Sequence, residues 1–444
     1  MNFIEKIKNA GVVGAGGAGF PTHVKMGTTV EWLLVNAAEC EPLMHKDKEL
    51  MQHYADTIVQ GIKLAAEHTK AQKIVIGIKS KNTKAIASLN TAIKKANSPA
   101  TIHEFADYYP AGDEYEIVAG ITGKLIPPAG IPLDIGAVVS NIETLYNIAR
   151  AVEDIPVIYK YMTIAGAVKN PVTVCVPIGT SYNEVLSLAG GSTLPAFAVI
   201  ENGVMMGQQV SDLRKTVTKQ TGGLIVLPAD HRAITRYQKS TKEMNRIGKS
   251  ACDQCSYCTE FCPRYLLGYD IQPHLVMRGL GFTAMGQDFW NQYASLCCNC
   301  GLCTLYACPE DLYPREACFQ AKANMQVKPD HSKHKPIKIH PMKEYRRIPG
   351  KQLQNKLGIR QYDVPTGFIA EVYQPKEVRI SLQQHIGAAA VPVVEVNELV
   401  QTGQLIAHIP EGKLGAPVHA SISGRVQEIT DALIRIEGEG EEYK

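Results

Sequence analysis

The chain has 444 residues, of which 45% are hydrophobic and 20% charged, and its formal net charge is +3. This composition is that of a globular protein of about three domains, and so small a positive charge gives no electrostatic support to nucleic-acid binding. No stretch approaches the ~20 consecutive apolar residues of a membrane helix, and residues 1–8 mix acidic and basic side chains with no apolar run after them. We therefore expect a cytoplasmic protein without a signal peptide or a transmembrane segment.

Helical and strand patterns alternate through the first 155 residues. Short apolar runs predict strands and amphipathic stretches predict helices, in chain order at residues 3–10 (helix), 32–35 (strand), 56–69 (helix), 73–78 (strand), 82–95 (helix) and 101–105 (strand). Such alternation is typical of a parallel sheet with crossover helices. We therefore expect an α/β domain over residues 1–155.

A glycine-rich loop follows the first predicted helix. The run GAGGAG that begins at Gly14 satisfies the G-x-G-x-x-G pattern, and the acidic Glu39 follows a predicted strand further on. Only two valines precede the loop, too few for the first strand of a dinucleotide fold, and a helix accepts Pro21 only in its first turn. Consecutive glycines still let backbone N–H groups approach a phosphate or a flat ring, and Lys25 can pair with an anion.

Residues 156–240 combine several strand patterns with one short helix. The strands are predicted at residues 161–168, 172–177, 196–200 and 223–227, and the helix at 181–189. One helix on a small mixed sheet favours an α+β module of the β-grasp type.

Most of the twelve cysteines lie in two short runs. The first run, from Cys252 to Cys262, reads C-x2-C-x2-C-x3-C-P, and the second, from Cys297 to Cys308, reads C-x2-C-x2-C-x4-C-P. Three thiolates at this spacing ligate one cluster, and the fourth cysteine, before proline, ligates the other cluster of the pair. We predict two [4Fe–4S] clusters, the first held by Cys252, Cys255, Cys258 and Cys308 and the second by Cys297, Cys300, Cys303 and Cys262.

Other interpretations of these cysteines fit less well. Zinc ribbons use two separated C-x2-C pairs, and structural disulfides need an oxidising compartment. The longer spacer before Cys308 leaves that residue within reach, and Cys298 is left out because it would stand only one residue from the next ligand. Cys40, Cys175 and Cys318 are interpreted as buried thiols. We expect a helical, ferredoxin-like domain over residues 241–326, with a short helix at 274–280.

The remaining chain divides into a connector and a β-rich module. In the connector, residues 327–376, the stretch 327–351 is rich in Lys, His, Arg and Pro, which favours a solvated linker over a docking patch. Residues 377–444 alternate short strands with turns. Strands are predicted at residues 378–382, 391–396, 405–408, 418–422 and 432–436. Lys413 lies in PEGKLG, which is not the motif of a biotin or lipoyl carrier, so we expect a structural or interaction role for this all-β module.

Four motifs together carry a resemblance to a known family. They are GAGGAGFPTHVK at residues 14–25, NAAECEP at 36–42, YPAGDE at 109–114 and SNIET at 140–144. They resemble the flavin and NADH domain of the complex I flavoprotein subunit and of the Rnf complex C subunit. The resemblance implies that FMN is held by Gly14, Gly16, Lys25, Asn36, Glu39, Asn141 and Thr144. It implies that NADH is bound by Gly17, Phe20, Glu41, Tyr109 and Glu114.

The order of the predicted domains narrows the resemblance. Rnf C subunits carry their β-rich hybrid domain before the flavin domain, whereas here the β module closes the chain. With HIGAAAVP at residues 385–392 and GAPVHASISG at 415–424, this order is similar to that of the cobalamin reductases of propanediol-utilisation microcompartments. Residues 161–207 resemble the SLBB β-grasp domain of both families. The implied fold class is multidomain α/β: an FMN/NADH-binding α/β domain, an SLBB β-grasp domain, a helical two-cluster domain and a C-terminal barrel-sandwich hybrid module.

The resemblance implies an NADH-dependent oxidoreductase. Electrons would pass from NADH through FMN and the two clusters to cob(II)alamin, giving cob(I)alamin for adenosylation. No catalytic side chain is expected, because the flavin does the chemistry. Implied partners are cobalamin as substrate, a corrinoid adenosyltransferase and a microcompartment shell protein, which places the protein in a bacterial microcompartment.

Two alternatives stay open. One is an Rnf-like subunit that reduces ferredoxin or quinone. The other is a non-catalytic electron carrier, motivated by Ala38, where the complex I family has an acidic residue, and by a PPAGIP segment that lacks an aromatic ring.

Overall fold

The structure, a computed structural model, describes residues 1–281, 287–327, 329–330 and 337–438. Residues 282–286 of the cysteine region, 328 and 331–336 of the predicted connector, and 439–444 of the β module lie outside the described residues. The helices are α1 Phe3–Asn9, α2 Thr22–Met26, α3 Lys46–His53, α4 Ala55–Thr69, α5 Thr83–Lys95, α6 Glu114–Thr122, α7 Ile142–Val152, α8 Tyr182–Leu188, α9 Arg232–Gln238, α10 Thr241–Ala251, α11 Tyr257–Glu260, α12 Pro263–Leu266, α13 Pro273–Gly279, α14 Gln287–Asn291, α15 Pro314–Asn324 and α16 Gly350–Leu357. The strands are β1 Trp32–Ala37, β2 Lys73–Lys79, β3 Thr101–Phe105, β4 Tyr108–Tyr109, β5 Ala137–Asn141, β6 Tyr159–Gly166, β7 Val172–Pro177, β8 Phe197–Glu201, β9 Gln208–Val210, β10 Gly223–Pro228, β11 Ile348–Pro349, β12 Gly367–Val372, β13 Glu377–Ser381, β14 Val391–Pro392, β15 Leu399–Val400, β16 Leu405–His408, β17 Val418–His419, β18 Gly424–Ile429 and β19 Leu433–Gly438.

A parallel sheet forms the centre of the N-terminal domain. Its strand order is β3-β2-β1-β5, and every neighbouring pair is parallel. In β1, Leu33, Leu34 and Val35 are fully buried, because helices cover both faces of a parallel sheet and its strands are therefore continuously apolar. The predicted α/β fold is confirmed, and β1, β2 and β3 lie where their apolar runs predicted them.

The second domain is a mixed sheet with one helix on it. The strand order is β12-β7-β6-β10-β8-β9, with β6 and β7 as an antiparallel hairpin and β10 parallel to β6. Helix α8 begins with a capping box between Ser181 and Glu184 and buries Tyr182 and Val185 against the sheet. The expected β-grasp arrangement is confirmed.

The segment that the sequence presents as a connector is tied into both of these domains. Strand β11 pairs antiparallel with β4 of the flavin-motif region, and β12 adds an edge strand to the second sheet beside β7. Helix α16 lies between them and buries Leu353 and Leu357. Of the stretch 327–351 expected to be a solvated linker, residues 348–351 instead form β11 and the start of α16, and the following part of the connector, up to residue 372, also packs against the two domains.

The C-terminal module is all β, as expected. One sheet has the order β13-β19-β18-β15 and the other β14-β16-β17. The strand predicted at 391–396 is shorter than expected, since only Val391–Pro392 pairs. Across the part of the chain that the structure describes, every helix is too short or too polar to cross a membrane.

A buried lysine joins three parts of the chain. Lys219, in the second domain, is 3% exposed and donates to the carbonyl oxygens of Gly11, at 2.8 Å, and Pro417, at 2.9 Å. Burial lowers the pKa of Lys219 to about 7. The N-terminal domain and the C-terminal module, distant in sequence, are thus fixed against the second domain.

Candidate functional site

A cavity opens at the carboxyl ends of β1 and β5, the place where ligands of open α/β sheets bind. It encloses about 690 Å³, counting its open mouth. Six of the predicted flavin and NADH residues line it: Gly16, Gly17, Asn36, Glu39, Glu41 and Asn141. Cys40, expected to be a buried thiol, also lines it. We call this space the flavin cavity.

The glycine loop presents backbone to the flavin cavity. The loop is closed by a hydrogen bond from the Gly14 N–H to the Phe20 carbonyl, at 2.9 Å, and is held down by the Ala15 N–H, which donates to Thr144 Oγ1 at 2.9 Å. Gly17 has φ +109°, a conformation that other residues rarely adopt. A Cβ on Gly16 would lie 3.4 Å from Asn141 Cβ. The loop is therefore built to bring N–H groups close to a ligand.

We expect Gly16→Val to abolish most FMN retention and Gly16→Ala to weaken it less. Alanine's methyl reaches only contact distance from Asn141, whereas the two further methyls of valine enter the ligand space. The flavin-to-protein ratio after desalting measures the effect. A matched control is Gly367→Ala, at a glycine outside the flavin cavity whose added Cβ would lie 3.8 Å from its nearest neighbour; normal flavin in Gly16→Val would show that the loop does not hold it.

Two asparagines at strand ends are fixed by their own hydrogen bonds. Asn36 Nδ2 donates to the Gly112 carbonyl at 2.9 Å, and Asn141 Nδ2 donates to Asp47 Oδ2 at 2.7 Å. Asn141 Oδ1 also accepts from the Glu143 N–H, which caps helix α7. Their rigid placement suits amide recognition of a flat heterocycle.

A buried charge network forms one wall of the flavin cavity. Lys46 Nζ contacts Asp47 Oδ1 at 2.7 Å and Glu143 Oε2 at 2.9 Å, and Lys160 Nζ reaches the same Glu143 oxygen at 2.5 Å. All four side chains are at most 5% exposed. The pKa of Glu143 is lowered, because the two lysines outweigh its burial, and burial lowers the pKa of Lys160 to about 8. Sequence reasoning missed these residues because their contacts join three separate stretches of chain.

The two predicted carboxylates of the cavity resist ionisation. Burial and the nearby Asp47 raise the pKa of Glu39 to about 8, and burial raises that of Glu41 to about 7. Glu41 accepts hydrogen bonds from the N–H groups of Met205, at 2.9 Å, and Met206, at 3.0 Å. The second domain therefore already donates a hydrogen bond to each oxygen of the Glu41 carboxylate, which was predicted to accept hydrogen bonds from NADH.

Tyr109 connects the flavin cavity to the cysteine region. Its side chain is 1% exposed, and its hydroxyl donates to the Cys300 carbonyl at 2.7 Å and lies 3.3 Å from Glu41 Oε1. This internal bridge differs from the predicted contact of Tyr109 with NADH. Lys25 and Glu114 form an ion pair of 3.6 Å, so the structure brings a predicted FMN residue and a predicted NADH residue together, although neither is among the residues that line the cavity. Phe20 is partly buried in the same loop.

We expect Tyr109→Phe to leave FMN bound but to slow reduction of the clusters by the reduced flavin, and to cost about 1 kcal/mol of stability. The Cys300 carbonyl and Glu41 lose their shared donor. Tyr108→Phe is the matched control, since the neighbouring hydroxyl bonds Glu116 instead. Stopped-flow absorbance separates the flavin and cluster phases, and equal cluster rates in both variants would contradict the bridge.

The first cysteine group brings together residues of both runs. Cys252, Cys255, Cys258 and Cys308 line one small cavity. Burial, followed by the neighbouring thiols of this group, raises the pKa of Cys258 to about 12. Cys255 is exposed, so this group reaches the protein surface.

The second cysteine group is more buried and is joined to the flavin cavity through Tyr109. The pKa of Cys303 is raised well above its usual value by burial and then by Cys297, by Cys258 of the first group and by Cys262. Cys300 is 6% exposed and carries the carbonyl that Tyr109 contacts. Cys262 of the first run thus lies near the thiols of the second.

Both runs adopt the same loop shape. Gln254 and Asn299, which precede the middle cysteines, have φ of +61° and +58°, and Ser256 and Gly301, which follow them, have +64° and +81°. The extra residue before Cys308 is absorbed by a π-helical turn over Cys303–Ala307, closed by the Cys308 N–H on the Cys303 carbonyl at 3.2 Å. This wider helical turn, which the cysteine spacing alone does not reveal, brings Cys308 to the first group.

These donor sets fit clusters rather than single ions. Within the described ranges, no three Cys, His, Asp or Glu side chains converge closely enough to hold one metal ion. Buried thiols that raise each other's pKa need a compensating positive charge to ionise, and cluster irons supply it. Two of the remaining thiols contact predicted ligands. Cys298 forms a hydrogen bond with Cys300. Cys318 is fully buried and forms a hydrogen bond with Cys297, which lowers the pKa of Cys297 to about 7.

Four family models match the chain in this order: the Nuo51 FMN-binding domain at residues 7–150, the SLBB domain at 161–209, the 4Fe-4S dicluster domain at 251–313 and the RnfC barrel sandwich hybrid domain at 363–441. A chain of the crystal structure of an NAD+-reducing [NiFe]-hydrogenase in its H2-reduced state has a TM-score of 0.50 and 21% identity, over 73% of this chain and 62% of that one. At this identity the likeness concerns the fold alone. Fold, cavity and cysteine groups together define a flavin and iron–sulfur oxidoreductase.

Whole-chain relatives identify the family. The chain is 40% identical to the cobalamin reductase PduS of Citrobacter freundii over 97% of this chain and 95% of that protein, and equally identical to PduS of Salmonella typhimurium strain LT2. The RnfC-type component of the Na+-translocating ferredoxin:NAD+ oxidoreductase complex of Acetobacterium woodii is 36% identical over 59% of this chain and 57% of its own. This chain belongs to the PduS cobalamin reductase family.

Proposed function

We propose that this protein oxidises NADH and passes the electrons through FMN and two [4Fe–4S] clusters to cob(II)alamin, which it reduces to cob(I)alamin for adenosylation. The Tyr109 hydroxyl carries this proposal, because it joins Glu41 of the flavin cavity to the carbonyl of Cys300 in the second cysteine group. The Tyr109 side chain thus lies between the flavin cavity and the second cysteine group, whose cluster would receive electrons first.

In this proposal the residues of the chain bind and orient FMN and NADH. FMN supplies the change from two-electron to one-electron chemistry, and the clusters carry single electrons onward. The backbone of Gly16 and Gly17 and the amides of Asn36 and Asn141 would hold the flavin, and Lys25 would pair with its phosphate. Glu114, beside Lys25, would accept from hydroxyl groups of NADH. The buried second group would receive electrons first and would exchange them with the first group, whose Cys255 is exposed.

The acceptor and partners follow from the family. PduS of both relatives is named a cobalamin reductase, and we extend that substrate to this chain. Cob(I)alamin is readily oxidised, so direct transfer to a corrinoid adenosyltransferase protects it. A position inside a bacterial microcompartment, in contact with a shell protein, belongs to the same proposal.

A coupled anaerobic assay tests the whole route. NADH, the protein, cob(II)alamin, ATP and an adenosyltransferase should yield adenosylcobalamin. Rapid NADH-driven reduction of ferredoxin without any adenosylcobalamin would favour the Rnf-like function instead.

The NADH site is tested separately. We expect Glu114→Gln to slow NADH reduction of the flavin roughly tenfold, since a charged acceptor is lost, while dithionite reduces it normally. Glu104→Gln, an exposed glutamate of β3, is the control. Equal NADH rates in both variants would remove Glu114 from the NADH site and favour the carrier alternative.

A further inference from the structure

A second cavity, larger than the flavin cavity, lies against the cysteine region and shares none of the residues that line the flavin cavity. It encloses about 990 Å³, counting its mouth, between helix α6 of the N-terminal domain and the loop that leads into the second cysteine run. Arg264, Ser295 and Lys322 supply its polar groups, and Tyr269 and Leu296 supply apolar surface. We call it the Arg264 cavity.

The Arg264 cavity holds positive charge and unused hydrogen-bond donors. Arg264 is 8% exposed; its Nη2 donates to Asp113 Oδ2 at 3.0 Å, and its guanidinium lies 3.5 Å from the centre of the Tyr115 ring. Its Nη1 and the Ser295 Oγ are both buried without a partner. Buried polar groups are normally paired, so these two donors are available to a ligand that accepts hydrogen bonds.

The charge of the lining points to an anion. Besides Arg264, Lys322 lines the cavity, and none of its described lining residues is acidic. Lys322 Nζ donates to the Cys297 carbonyl at 3.0 Å and is exposed, which leaves further N–H groups for a ligand. A guanidinium, an ammonium and a hydroxyl together form a phosphate-binding set.

The cavity also borders the second cysteine group. Cys297 and Cys298 are among its lining residues, so a ligand there lies against the chain that would carry the second cluster. The cavity of the first group differs: its described lining includes Asp253 and Glu310 but no Lys or Arg. The phosphate of an acceptor would therefore be repelled at the exposed first group and attracted at the second.

We propose that the Arg264 cavity binds the phosphodiester of the nucleotide loop of cobalamin, and so holds the corrin beside the second cluster. This rests on the proposed function. In the loaded protein one electron would pass from the second cluster to Co(II), giving four-coordinate Co(I); the axial bond from the base to cobalt, where present, breaks, no bond forms and no proton is transferred to cobalt. Each NADH releases one proton and two electrons, and the two electrons reduce two cob(II)alamin molecules.

Cobinamide, which lacks the phosphodiester and the base, provides the test. Equilibrium dialysis of the flavin- and cluster-loaded protein under anaerobic conditions measures binding of cob(II)alamin and cob(II)inamide. We expect cobalamin to bind at least about tenfold more tightly, as charge-assisted hydrogen bonds to phosphate predict. Arg264→Lys, Ser295→Ala and Lys322→Gln should each reduce that ratio, whereas Lys242→Gln, an exposed lysine of the same region outside the cavity, should preserve it.

Three results would overturn the proposal. They are equal affinities for the two corrinoids, a cobalamin preference that survives both Arg264→Lys and Lys322→Gln, and Arg264-dependent binding of ADP-ribose that cobalamin does not displace, which would assign the cavity to a nucleotide. Iron and flavin content report whether each variant is intact. NADH reduction of the flavin is followed in the same samples. If the unmodified protein binds cobalamin with the expected preference but NADH does not reduce its flavin, the proposed function fails while the site stands.

Discussion

Cys300→Ala should lose one whole cluster, and Cys255→Ala the other, so that iron falls from about eight to about four per chain in each. Cys300 is buried next to Tyr109, and Cys255 belongs to the other, surface-exposed group. Because the second group lies next to the flavin cavity, Cys300→Ala should also stop electron flow beyond the flavin. Cys255→Ala should still let NADH reduce the remaining cluster. Iron and labile-sulfide analysis, with EPR of the dithionite-reduced protein, distinguishes the two.

The adjacent thiols provide matched controls for this experiment. Cys298→Ala and Cys318→Ala should keep both clusters, although each thiol forms a hydrogen bond with a predicted ligand. A cluster lost from Cys298→Ala but retained in Cys300→Ala would show that the ligand register is shifted by two residues.

Glu143→Gln should destabilise the N-terminal domain by about 3–5 kcal/mol, the cost of leaving buried charges without their partner. Glu143 is the shared carboxylate of Lys46 and Lys160, and all three are at most 3% exposed. Without it, two buried ammonium groups depend on Asp47 alone. Because Lys46 lines the flavin cavity, the variant should also release flavin. The midpoint of urea unfolding, followed by flavin fluorescence, measures both effects.

Two further variants make the Glu143 test specific. Glu153→Gln removes an exposed partner of Arg150 near the end of the same helix, and should cost less than about 1 kcal/mol. The double change Glu143→Gln with Lys160→Met removes one of the stranded charges and should recover part of the loss. A Glu143→Gln midpoint equal to that of Glu153→Gln would show that the buried network contributes little.

Local patterns predicted the parts of the fold that depend on neighbouring residues. The runs at β1, β2 and β3 are continuously apolar because both faces of the sheet are covered, and such runs are visible without any tertiary information. The cysteine spacing, with a proline after each run, predicted that Cys262 joins the second group and Cys308 the first. The glycine loop was located by composition, although its closure on Phe20 and Thr144 was not.

What the sequence could not show depends on distant contacts. Lys46 and Glu143 are 97 residues apart, and no periodicity relates them. Tyr109 was assigned to NADH because it lies in the motif YPAGDE, yet its hydroxyl points to a carbonyl in the cysteine region. The connector looked like a linker by composition, but its few apolar residues pair with strands β4 and β7. In each case the missing information is which distant residue a side chain contacts; for Lys46 that residue lies in the same domain, and for Tyr109 and the connector it lies in another.

The hydrogen bond from Tyr109 to Cys300 spans 191 residues of chain, and this separation bears on biosynthesis. At about 5–20 residues per second, a ribosome needs about 10–40 s to make that length. During this interval the nascent N-terminal domain has the glycine loop, but Glu41 lacks the N–H groups of Met205 and Met206 until the second domain emerges. Stable flavin loading is therefore expected once the second domain, which adds Asn202, Met206, Gln220 and Gly222 to the cavity lining, has folded. The described lining of the flavin cavity includes no residue of the cysteine region, so cells short of iron should accumulate flavin-loaded chains without clusters.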